Sequence, residues 1–104
     1  MENDNERPID RIKQVADWLT EKKIVKSVNA FERVCGLSHL YIRNLSATEK
    51  GNPGMDVAAK IYAAFPSLNL EWLVTGKGKM WKKKEDDALI NKIKSDIINK
   101  LILI

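Results

Sequence analysis

The sequence predicts an all-α fold, a domain of five helices over residues 8–81 followed by an additional C-terminal helix. Three observations predict it. Apolar residues recur at helical spacing in each segment, as in Ile9, Ile12, Val15 or Ala16, and Leu19. Gly, Pro, Ser and Asn divide the chain into short helical lengths. No segment sustains the period-two alternation of β-branched residues that marks a strand.

The elements follow in order. Residues 1–7, polar and acidic, read as a flexible N-terminal tail. Pro8 sits where a first helical turn tolerates proline, so helix 1 is expected from Pro8 to Lys22. Lys22 to Lys26 is a basic connector. Ser27 is a good N-cap residue for a second helix, Val28 to Cys35, with Phe31 and Val34 on one face and Gly36 able to end it in the left-handed conformation. Ser38 can cap a third helix, Ser38–Leu45, on which Ile42 and Leu45 share a face. Residues Ser46 to Gly54 are turn chemistry. A fourth helix, Gly54 to Phe65, buries Val57, Ile61, Ala64 and Phe65, and Pro66 stops it. A short fifth helix, Leu70 to Val74, ends before Thr75-Gly76-Lys77-Gly78. Residues 82–104 comprise a charged hinge, Lys82 to Asp87, and an amphipathic helix, Asp87 to Leu103.

Charge is unevenly spread. Residues 1–10 hold four acids against one arginine, residues 11–84 fourteen bases against six acids, and residues 85–104 three bases against four acids. A basic central region attracts polyanions, of which nucleic acid is the commonest, although a solvated lysine-rich surface has the same composition. Cys35 is the only cysteine, so no internal disulfide forms, which fits a reducing, cytoplasmic setting. The N-terminus lacks the basic start and apolar run of a signal peptide, and the apolar stretches fall far short of a membrane span. With one histidine and one cysteine no metal site is expected, and no nucleophile–base pattern points to an enzyme or to a cofactor. Gly76-Lys77-Gly78 lacks the frame of a phosphate-binding loop. Trp18, Trp72 and Trp81 read as core rather than as a stacking platform for single strands.

The informative unit is Ser27 to Leu45, SVNAFERVCGLSHLYIRNL, two short helices around a glycine-containing turn. It resembles the helix-turn-helix of lambda-repressor-like regulators of the Cro and phage-repressor type. A second segment supports the resemblance in order and spacing: Leu68-Asn69-Leu70-Glu71-Trp72-Leu73-Val74-Thr75-Gly76 is similar to the family's closing Leu-x-x-x-Trp-Leu-x-x-Gly pattern. The likeness covers about residues 9–80. Two positions depart from it, Val28 where many members carry Gln and Glu32 where many carry Ala.

The resemblance implies a bacterial or phage-type transcriptional regulator, repressor-like, that reads double-stranded DNA in the major groove with the third helix. The base-contacting candidates are then His39, Leu40, Arg43 and Asn44, anchored by Leu37, Ile42 and Leu45. The backbone-contacting candidates are Ser27, Asn29, Tyr41, Lys50 and Asn52. The alternative is a protein-interaction module, antitoxin-like or an adaptor, that keeps the fold without strong DNA binding. The stripe Ile90, Ile93, Ile97, Leu101 and Ile104 either packs back on the domain or dimerises. A core already furnished by Ile12, Leu19, Phe31, Val34, Ile42, Leu45, Ile61, Phe65 and Leu73 makes a homodimer through this helix the expectation.

Overall fold

The computed structural model describes residues 6–49 and 51–102. Six helices account for its regular structure: α1 Pro8–Glu21, α2 Val28–Cys35, α3 Tyr41–Ser46, α4 Met55–Ala64, α5 Leu70–Thr75 and α6 Asp87–Ile102. Among the described residues there is no strand, only an isolated antiparallel bridge between Leu68 and Trp81. The all-α class and the order of the elements are those expected from the sequence. No described helix is long and apolar enough to cross a membrane.

Local chemistry explains the boundaries. Pro8 occupies the first turn of α1, and the Arg7 N–H donates to the Asp10 carboxylate across that turn. The helix ends where Lys23 enters the left-handed region, φ 60°, while the Ile24 N–H reaches back to the Leu19 carbonyl at 2.9 Å. α4 stops at Phe65, before Pro66. The Asn69 side chain caps α5 by accepting from the Trp72 N–H, and Gly76 closes it at φ 82°.

One core joins all six helices. Ile9, Ile12, Val15, Ala16 and Leu19 of α1 meet Phe31 of α2, Ile42 of α3, Ile61 and Ala64 of α4, and Leu73 of α5. Phe31 and Phe65 stack at 5.7 Å between ring centroids. Val34 and Leu45, expected in the core, are only partly buried against it. Trp72 and Trp81 are core residues and Trp18 is half-buried, as their amphipathic placement implied.

Three expectations are corrected. The N-terminal tail does not extend through residue 7: the Arg7 guanidinium donates to the carbonyls of Thr48 at 2.7 Å and Ser46 at 3.1 Å. Glu6 accepts from Arg11 and Gln14. Residues 82–102 are not a separate appendage, because Leu89 and Ile93 enter the same core and α6 lies against α4. The stripe on α6 is therefore not free for a second copy: Ile93 is fully buried, Ile97 packs on the core and Ile90 is half-buried. The five-helix core left an apolar face that α6 covers, which the helix-by-helix count of core residues hid. The Leu101 side chain and Ile104 lie outside the described residues.

Candidate nucleic-acid interface

The α2–turn–α3 segment is built by two caps and one glycine. Ser27 caps α2, its Oγ accepting from the Ala30 N–H at 3.1 Å. Gly36 ends α2 at φ 74°, with the Leu37 N–H bonded to the Glu32 carbonyl at 2.8 Å, the pattern of a left-handed helix stop. A Cβ at Gly36 would meet nothing within 4 Å, so the requirement for glycine is backbone strain alone.

The third helix differs from expectation. It spans Tyr41–Ser46 rather than Ser38–Leu45. Leu40 is held at φ 59°, and Ser38 contributes its carbonyl, accepting from the Tyr41 N–H, rather than a side-chain cap. The cap comes from another helix. Glu32, 2% exposed, accepts from the Ile42 N–H through Oε2 at 2.9 Å. A carboxylate there satisfies a free donor and complements the helix dipole. Glu32 of α2 thus carries the side-chain bond at the start of α3.

The far end of α3 is also held. Arg7 donates to the Ser46 and Thr48 carbonyls, and the Thr48 hydroxyl donates to the Leu45 carbonyl at 2.8 Å. The next loop folds close: a Cβ on Gly51 would collide with the Thr48 hydroxyl and a Leu45 methyl, so only glycine fits without displacing them.

Ser27, Val28 and Asn29 from the start of α2, Glu32, Leu40 from the turn and Arg43 from α3 line one open depression of about 340 Å³. Four of the nine candidates, two for bases and two for the backbone, meet there. His39, Arg43 and Asn44 are exposed, with His39 and Leu40 in the turn before α3 rather than on the helix. Asn52 is exposed in the α3–α4 loop and apart from this group. Tyr41 is half-buried and packs against the core, and its hydroxyl pKa is raised first by burial and then by the Asp56 carboxylate. Lys50 lies outside the described residues. Val28 leans on the core from the rim, so an apolar side chain borders the depression there.

Sequence reading missed the roles of Glu32 and Arg7. Glu32 stands out only as an acid on the inner face of an amphipathic helix, and Arg7 carries no local signal, because its partners lie 39 and 41 residues away.

Comparison with known protein families, with characterised proteins and with solved structures returns no match to this chain.

Proposed function

We propose that this chain is a sequence-specific double-stranded DNA-binding transcriptional regulator with a lambda-repressor-like helix-turn-helix formed by α2 and α3. The observation that carries the reading is the depression where the α2 N-terminus faces Leu40 and Arg43. It pairs free backbone donors suited to a phosphate with an outward arginine suited to a guanine edge. His39 and Asn44 extend the exposed polar surface beside it. A single module contacts a short half-site, so the reading includes a homodimer on two half-sites about 34–36 Å apart. Its interface draws on outward side chains such as Ile98, 56% exposed, and not on Ile93. Selection from a randomised duplex pool with the full chain tests this. Recovery of a discrete consensus is the expected result, and enrichment no better than an unselected pool refutes it.

The second reading, a protein-interaction module, has its own support. Met55 is 90% and Val74 54% exposed, and both line a small apolar depression of about 130 Å³ with Pro8, Ile12, Ala58 and Leu73. A folded chain that binds neither random nor selected duplex at low salt would favour it.

A further inference from the structure

A basic surface lies outside the α2–α3 depression, organised by a tryptophan pair. Trp18 of α1 and Trp81 of the α5–α6 connection meet with ring centroids 4.9 Å apart. On one side Lys22 places its ammonium 5.7 Å from the Trp18 ring centroid. On the other, Lys79, Lys82, Lys83 and Lys84 surround an open depression of about 480 Å³ with Trp81 and Glu85. All five lysines are exposed. The Leu68–Trp81 bridge, with the Asn69 N–H bonded to the Met80 carbonyl and the Lys82 N–H to the Ser67 carbonyl, fixes this connection to the domain. Nearby acids are partly committed: Glu85 accepts from the Trp18 Nε1–H at 2.9 Å, and Asp86 caps α6 through the Leu89 N–H. Glu21 and Asp87 remain exposed beside the lysines. Lys82 is also engaged, over the Tyr62 ring and hydrogen-bonded to its hydroxyl.

We propose that this lysine surface binds the phosphate backbone of duplex DNA flanking the site read by α3. The inference rests on the DNA-binding reading above and enlarges its footprint. Continuity along the chain supports it: the Lys22 to Lys26 connector leads directly into Ser27 and Asn29, which line the α2–α3 depression. Five residues span at most about 17 Å. With one phosphate per strand each ~3.4 Å of duplex, that reach is about five base pairs. A bilayer surface fits less well. Trp81 is 2% exposed and Trp18 half-buried, so neither offers an apolar anchor, and the lysines present charge alone.

The test compares the full chain with its Lys79→Gln/Lys83→Gln/Lys84→Gln variant on one random-sequence duplex of about 30 base pairs, by anisotropy across a salt series. These side chains are exposed, and an unchanged thermal melt verifies the fold. Each lost phosphate contact lowers the slope of log K against log salt by about 0.9, so the expected fall is about 2–3 units. Equivalently, the affinity ratio of wild type to variant narrows about 40-fold between 50 and 200 mM salt. The loss is the same on every sequence. A wild-type chain that binds with a slope the variant shares overturns the inference and leaves the DNA-binding reading standing. Failure of both proteins to bind duplex overturns the reading and the inference together. Variant-sensitive binding to vesicles of anionic phospholipid, with the duplex slope unmoved, assigns the surface to a membrane and also overturns it.

Discussion

Replacing Glu32 by alanine tests the internal logic of the candidate site most directly. The Glu32 carboxylate is buried and accepts the Ile42 N–H at 2.9 Å, at the start of a helix with no cap of its own. Hydrogen bonds to charged groups contribute about 1.5–3 kcal/mol, and an orphaned buried N–H costs a comparable amount. The dipole contribution at a helix start is about 0.3–1 kcal/mol. These overlap, and removing the carboxylate also relieves its desolvation, so the net expected loss is about 2–3 kcal/mol. In a domain of this size that lowers Tm by roughly 10–20 °C. Glu32→Gln keeps an acceptor and the side-chain volume and should lose about 1 kcal/mol. Urea titration followed by helical circular dichroism reads both, with an unchanged m value showing that the native and denatured states are otherwise alike. Glu32→Ala within about 0.5 kcal/mol of wild type, the range of a neutral surface change, would show that α3 starts without this cap.

Three further outcomes follow from the same geometry. Arg43→Ala removes an exposed side chain and should lower specific duplex affinity by about 1–3 kcal/mol while leaving the thermal melt unchanged; unaltered binding to a selected consensus would remove Arg43 from the interface. Truncation after Lys84 strips the fully buried Leu89 and Ile93 from the core and should unfold the domain, and Ile93→Ala alone should cost about 2–5 kcal/mol; a truncated chain with a native melt would place α6 outside the folding unit. Burial pushes the Cys35 thiol from its usual value near 9 up to about 12, with Lys100 pulling weakly the other way. The folded chain then holds a proton that the unfolded chain releases, so stability should fall as pH rises from 9 toward 12, and the native thiol should resist a disulfide exchange reagent at pH 8; rapid native labelling would contradict the burial.

What was legible in the sequence was what short-range chemistry decides. Ser27, Gly36, Pro66 and Gly76 set helix ends through groups within a few residues, and α2 runs over the residues expected. The inner face of α1 was visible because its period belongs to the helix itself. The start of α3 was not, since Ser38 is a good capping type and nothing local reveals that Glu32, ten residues earlier, supplies the bond. The fate of α6 was illegible for a related reason. An amphipathic stripe states that a face must be covered, not by which surface, and Ile93 found its cover on the chain's own α4 side. For the candidate site, exposure of Arg43 and Asn44 followed from helical spacing, whereas their meeting with the α2 N-terminus is a tertiary fact.

The tertiary bonds share one design that bears on function. α3 has six residues, too few to hold a helical conformation unaided in water. It is held at its N-terminus by an acid from α2 and at its C-terminus by Arg7, the residue that caps α1, each charge opposite to the helix pole it meets. α5, equally short, is capped by its own Asn69 at the start and held alike at its C-terminal end: Arg11 of α1, one turn beyond Arg7 and 5% exposed, donates to the Leu73 and Val74 carbonyls at 2.8 and 2.9 Å. Arg7 and Arg11 therefore tie the ends of both short helices to α1, the helix most buried in the core. On the DNA-binding reading proposed above, a surface carried on so short an element gains from such fixing, because the entropy of ordering it is spent in folding rather than at the encounter with a partner. Loosening Arg7 and loosening Glu32 should consequently weaken duplex binding in the same way, through α3, although neither side chain needs to touch DNA.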